Sequence, residues 1–320
     1  MHKRFVNHCT IDINLIPDRP ILIKSGREGA DPTKPQMEFV QTYYNGEPSI
    51  YLPGSSLKGA IRAHAERIVR TVGREKRDEK NPDILWASNP VNQGEYDYLK
   101  DLPPHEIYHK SSFTDQMFGN TSIASRIRIE DAYPIDIKQL KTEERNGVAI
   151  DRVFGSVAVG PFNFQVCTSG EFKTKIHLKN FTLAQLGLIG LVLRDLNEGW
   201  FGIGFAKSRG LGTVKVKYNS AVVKYPSCQV EEKQIFTFGK DKKSWFHPHN
   251  FLLGAGEFLS EDEAKNYGFP KPDKIETPVV AQPMELGFGV ELTWDGDEQV
   301  QDLFRRAVKV WSILLGGKAA

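Results

Sequence analysis

Two stretches of this chain combine glycine, hydroxyl and basic residues at spacings that suit anions. The first is Leu52-Pro53-Gly54-Ser55-Ser56-Leu57-Lys58-Gly59-Ala60-Ile61-Arg62. A glycine-serine turn feeding a helix leaves the first N–H groups unpaired and points the positive dipole end outward. Ser55 or Ser56 can cap that helix by accepting from a backbone N–H. Lys58 and Arg62 are four apart and share a helix face, so Arg62 can fork onto one phosphate while Lys58 acts as a point charge. A Walker-type loop is excluded, because Lys58 precedes the second glycine. The same residues also suit an ordinary capped helix with solvated basic side chains. Arg67, Arg70 and Arg74 continue the basic character and read as a wet face.

The second stretch runs from Gly199 to Val214 and holds five glycines, with Lys207 and Arg209 between them. Glycine permits positive φ and close backbone approach to a ligand. Trp200, Phe201 and Phe205 offer faces for base stacking; the bland alternative is a glycine-rich connection with core aromatics. A dinucleotide fingerprint fails, since Lys207 takes the third glycine position and the loop follows a helix. Other chemistry is poorly supported. Cys9, Cys167 and Cys228 are far apart and read as isolated thiols. His105 and His109, or His247 and His249, lack a third ligand at convincing spacing, so no zinc is expected.

These stretches need a scaffold. The 320 residues, 40% hydrophobic, are enough for two domains or for one with large insertions. The net charge of +2 is too small to indicate nucleic-acid binding by itself. The N-terminus lacks a signal-peptide pattern, and the most apolar run, Leu183 to Leu196, is too short to span a bilayer. The expectation is a cytoplasmic protein with no membrane partner. Phe5 to Ile16 alternates as a strand, which Ile21 to Ile23 extends; Ser25 to Glu38 is a loop. Ser49 to Leu52 reads as a short strand, and Leu57 to Val72 as a helix. Residues of about 75–115 read as a surface insertion. Ser125 to Ala132 is a strand, and Asn146-Gly147 is a hairpin-turn signal. Phe162 to Val166 and Lys173 to Leu178 are strands. Thr182 caps a helix to Asn197, and Gly210 to Tyr218 closes with a strand. This order predicts an α+β fold: a ferredoxin-like β-α-β-β-α-β core over residues 1–226, with helices on one face of an antiparallel sheet. Residues 227–320 form an extension ending in a helix over Asp297 to Leu315, packed on the core or on a neighbouring subunit.

Read in series, the motifs resemble the RAMP superfamily of CRISPR systems. Its marks are Pro53 to Arg62, Phe118-Gly119, Ile129-Glu130-Asp131-Ala132, Val148-Ala149-Ile150-Asp151-Arg152 and the late glycine-rich loop. The resemblance spans about Phe5 to Val216 and points to the backbone subunits of type III interference complexes. It implies an RRM-like core that binds a guide crRNA, beside target RNA and sister subunits. It further implies a β-hairpin thumb over about 131–165 that wedges between bases and kinks the guide–target duplex. By motif position, Ser55, Ser56, Lys58 and Arg62 hold guide phosphates. Lys207 and Arg209 do likewise or stabilise the fold beside them. Ile150, Val153 and Phe154 form the apolar wedge, unless they are hairpin core. Target cleavage falls to Asp31, with Glu28 as rival, assisted by a divalent cation, Mg²⁺ or Mn²⁺. The loop to Pro53 is longer than the family pattern, and its glycine pair is reduced to Gly26. Two other roles remain open: a non-catalytic backbone subunit, or a stand-alone crRNA-processing endoribonuclease.

Overall fold

A computed structural model describes residues 4–26, 35–78, 85–92, 94–237 and 245–315. Strand β1 spans His8–Pro17, and its alternation sends Cys9, Ile11, Ile13 and Leu15 into the core. A small hairpin, β2 Gln41–Tyr44 and β3 Glu47–Ile50, precedes helix α1, Gly54–Val72. The insertion carries two short helices, α2 Pro104–Lys110 and α3 Phe113–Phe118. Then come β4 Ile127–Ile129, β5 Tyr133–Pro134 and a long hairpin, β6 Lys141–Ile150 with β7 Val157–Ser169. Strand β8, Phe172–Lys179, leads into α4, Leu183–Asn197, and then β9, Val214–Tyr225.

Strands β9, β1, β8 and β4 lie side by side in that order, each pair antiparallel. With α1 linking β1 to β4 and α4 linking β8 to β9, this is the ferredoxin-like order, as the sequence predicts. Helices α1 and α4 pack on the same face. The other face is open and polar: Lys173, Lys175, His177 and Lys179 alternate along β8 with buried Phe172, Thr174, Ile176 and Leu178. Thr182 accepts from the Gln185 N–H while Gln185 reaches back to the Thr182 N–H, so α4 starts with a complete capping box.

The chain beyond β9 adds β10 Cys228–Glu231, β11 Gln234–Thr237, β12 Trp245–Pro248, β13 Phe251–Leu253, α5 Glu261–Tyr267 and β14 Lys274–Glu276. It then returns to the main sheet. Strand β15, Gln282–Pro283, pairs with β16, Val290–Asp295, and β16 pairs along β9. The last helix, α6 Gly296–Leu314, lies on α4 and β9 and buries Val300, Leu303, Phe304, Ala307 and Trp311.

Local readings need correction. Ile21 to Ile23 does not extend β1; Ile21 exchanges both backbone hydrogen bonds with Cys167 of β7. Asn146-Gly147 does not turn. It lies within β6 opposite Asn163 and Phe162, and the chain reverses farther on, at Asp151 to Ser156. There the Asp151 carboxylate accepts from the Val153 and Phe154 N–H groups, and Gly155 supplies φ +68°.

Candidate nucleic-acid interface

Helix α1 begins one turn earlier than its apolar pattern suggests, and neither serine caps it. Pro53 is the N-cap, and the Gly54 N–H donates to Asp131 Oδ1 at 2.7 Å. The Asp-Ala motif after β4 therefore supplies the anion that the helix end attracts. Gly54 is required by packing: a Cβ there would sit 2.3 Å from the Ile129 carbonyl oxygen. Ser55 is exposed and Ser56 half-buried.

Both basic residues of this motif make hydrogen bonds within the protein. Lys58 donates to Ser125 Oγ at 2.8 Å, and burial, then the Arg62 charge, lowers its pKa. Arg62 spreads its guanidinium over Glu66 at 2.8 Å, the Gly119 carbonyl at 2.9 Å and Asp115 at 2.9 Å. Asp115 is fully buried and also accepts from Ser88 at 2.6 Å and Ser112 at 2.8 Å. Burial raises its carboxyl above the ordinary range, while those hydroxyls and the Arg62 charge oppose the rise. Arg62 thus anchors the insertion and the Phe118-Gly119 turn to α1, using three of its five N–H donors.

The glycine-rich loop shows a similar inversion. Three of its five glycines, Gly202, Gly204 and Gly212, approach protein backbone, whereas Gly210 faces open space. A Cβ at Gly204 would lie 2.3 Å from the Leu22 carbonyl, and one at Gly212 would lie 2.2 Å from that of Ile203. The loop is strapped by Phe205 N–H to Leu22 and Gly212 N–H to Pro20. What it presents outward is an exposed 3₁₀ turn, Lys207–Arg209. Phe205 lies under two cations, Lys24 Nζ at 3.8 Å and Arg209 Cζ at 5.0 Å.

The fold does bring the two stretches together, through a different face of α1. A cleft of about 290 Å³ lies between Ala60, Ala63 and Arg67 on the helix and Trp200, Gly202 and Lys207 on the loop. Trp200 is 66% exposed, with Arg194 Cζ 5.6 Å from its ring. Under the cleft wall, Phe201 stacks on His64 at 4.2 Å, and His64 Nε2 is 2.8 Å from Asp195 Oδ2. That buried pair ties α1 to α4 and fixes the loop's aromatic residue. Arg67 is exposed, as its reading as a wet face expects, and it also lines this cleft. The available signal was spacing: Ser56, Ala60, Ala63 and Arg67 fall on one strip of the helix, and small residues there leave room beside the loop.

The β6–β7 hairpin ends in an apolar tip. Val153 is 81% exposed, Phe154 84% and Ile150 54%, so none of the three serves as hairpin core. Val148, Val157 and Val159 are also exposed and widen the patch. Hydrogen bonds from the Phe154 and Val153 N–H groups hold the Asp151 carboxyl below its usual range, so the tip turn is built on an ionised aspartate. Glu28 and Asp31 lie outside the described residues. On either side of them, Lys24 covers Phe205, and the Gln36 N–H donates to Asn163 at 2.9 Å. Among the described residues no three His, Cys, Asp or Glu side chains gather as a metal site.

A ferredoxin-like sheet with helices on one face, a basic aromatic cleft and a long apolar-tipped hairpin define an α+β class suited to nucleic acid. The family model of the RAMP superfamily matches residues 19–215, well over half of the chain, so the chain belongs to the RAMP superfamily. It is accordingly a CRISPR-associated RNA-binding protein, with crRNA and the proteins of a CRISPR complex as partners. No curated protein matches the chain. Among the described residues no helix is long and apolar enough to cross a membrane.

Proposed function

We propose that the chain is a crRNA-binding backbone subunit of a type III CRISPR interference complex. In this reading the cleft at Arg67 and Lys207, together with Arg209, holds guide phosphates without reading sequence, which base pairing does. Ser55 and Ser56 at the start of α1 remain candidate phosphate donors. The observation that carries the reading is the hairpin tip. Val153 and Phe154 stand exposed on a turn locked by Asp151, the form expected of a wedge that unstacks bases. A guide–target duplex labelled with 2-aminopurine tests it. The assembled wild-type subunit should raise the fluorescence at regular positions, and Val153→Ser with Phe154→Ser should abolish the rise. Equal fluorescence in both would refute the wedge.

The cleavage step belongs to the same proposal. Asp31, with Glu28 as rival, would act with Mg²⁺ or Mn²⁺ on the strand that the hairpin opens. Asp31→Ala in the assembled complex should leave target binding intact and stop cutting. Undiminished cutting at every position would make the chain a non-catalytic backbone subunit.

A further inference from the structure

A third set of aromatic and basic residues lies away from both glycine-rich stretches. The β2–β3 hairpin lays Tyr44 on Tyr133, with centroids 4.4 Å apart and planes within 9°, and Tyr51 stacks on Tyr133 at 5.7 Å. Beside the stack opens a cleft of about 660 Å³, whose lining includes Tyr44, Tyr133, the cations Arg128, Lys173 and Lys175, and the carboxylates Glu130 and Asp131, the latter already held by the Gly54 N–H. Its position follows from the sheet. Arg128, Lys173 and Lys175 point to the open face because their neighbours Ile127, Ile129, Thr174 and Ile176 fill the core. Tyr133 sits opposite Lys173 in the β5–β8 register, which brings the ring to the cation row.

The charges there are only partly matched. Lys173 lies 3.2 Å from Asp12, and Arg128 lies 3.0 Å from Glu130, with side chains 50% and 69% exposed. The carboxylates are less open, Asp12 at 13% and Glu130 at 38%, but a pair whose cation is this exposed contributes little, so the cation can turn to a phosphate at small cost. Among the described residues, the Lys175 ammonium has neither ion pair nor hydrogen bond. A flat ring at the end of a tyrosine stack, next to one free ammonium and two weakly held cations, offers a nucleotide both a stacking surface and a phosphate partner.

We infer that this open-face cleft is a second RNA site, which seats one unpaired nucleotide of single-stranded RNA. The base extends the stack from Tyr44, and the phosphate lies on Lys175 and Lys173 with Arg128 beside them. A paired base would not serve, because its faces are covered by its neighbours in the helix. The inference rests on RNA binding by the superfamily, not on the subunit role or on the hairpin wedge.

The test uses the full chain and a single-stranded RNA carrying 4-thiouridine, with the same sequence annealed to its complement as competitor. Wild type should cross-link within Gln41–Tyr44 or at Tyr133, and the annealed competitor should not displace that cross-link. Lys175→Glu and Tyr44→Ala should each weaken single-strand binding about tenfold, the range of one base stack or one phosphate pairing. Lys175→Glu alters only a cation on the open face, so it remains decisive if Tyr44→Ala loosens the β2–β3 hairpin. Arg67→Glu with Lys207→Glu serves as the separate arm for the other cleft. Cross-links confined to Gly199 to Thr213, with unchanged affinity in Lys175→Glu, would overturn this site and leave the first cleft standing. No binding by wild type would overturn both.

Discussion

Arg62 and Arg67 stand five residues apart on one helix and do opposite work. Arg62 turns inward among Glu66, Asp115 and the Gly119 carbonyl. Arg67 is exposed at the cleft that faces Lys207 and Trp200. A basic residue next to a glycine-rich turn is therefore not by itself a phosphate ligand. What decides is whether the fold has already given it carboxylates. The largest expected effect follows from the inner arginine. Arg62→Ala leaves the buried Asp115 carboxylate without its cation and should cost about 3 kcal/mol or more, read from urea unfolding. RNA affinity per folded molecule should hardly change. A stable Arg62→Ala chain that no longer binds RNA would reverse the assignment.

Buried carboxylates allow the same contrast. Asp115 has a guanidinium; among the described residues Asp273 has only N–H donors, from Leu183 at 3.0 Å and Gly256 at 3.2 Å, with the like charge of Glu257 close by. Burial pushes the Asp273 carboxyl up to about 7, against those two hydrogen bonds. The folded state therefore holds a proton that the unfolded chain has already released. The resulting stabilisation is complete below the ordinary carboxylate range near pH 4 and is lost as pH rises toward 7. Asp273→Asn should flatten the fall in stability across that window, by up to about 1.4 kcal/mol per pH unit. Parallel wild-type and variant curves from pH 4 to 7 would show that Asp273 ionises freely.

The outer arginine gives the complementary result. Arg67→Glu with Lys207→Glu removes two cations from an exposed cleft. Stability should move by no more than about 0.5 kcal/mol. The log–log salt slope for single-stranded RNA should fall by about 1.4, or about 0.7 for each phosphate no longer neutralised. An unchanged slope would exclude the cleft from the RNA path.

Two Asn-Gly dipeptides show what the sequence could and could not reveal. Asn45-Gly46 joins β2 to β3 as a two-residue turn with φ of +52° and +85°, the geometry such pairs favour. Asn146-Gly147 carries the same signal yet runs straight through β6, because partners from Asn163 to Val157 continue the ladder beyond it. Local chemistry proposes a turn; whether the next residues find a strand partner decides it. The Thr182 cap of α4 was legible because donor and acceptor lie within a few residues. The Gly54–Asp131 and Arg62–Asp115 links were not, since the partners are 77 and 53 residues away. The motif series identified the family without showing what each motif contacts: the Asp-Ala and Phe-Gly motifs both hold α1, through Asp131 to Gly54 and the Gly119 carbonyl to Arg62.

The hairpin tip gives the smallest effect on stability and sharpens the comparison most. Its β6–β7 ladder is held by backbone pairing from Lys141 to Ile150, and the turn by Asp151; neither needs the Phe154 ring. At 84% exposure the ring contributes little burial within the chain. Phe154→Ser should therefore shift the thermal midpoint by no more than about 1 °C, a change well below 1 kcal/mol. If the midpoint drops by several degrees instead, the ring packs on the protein and is not presented to a partner. An unchanged midpoint together with an abolished unstacking signal would show that the fold holds the Phe154 ring out for a partner rather than for its own core.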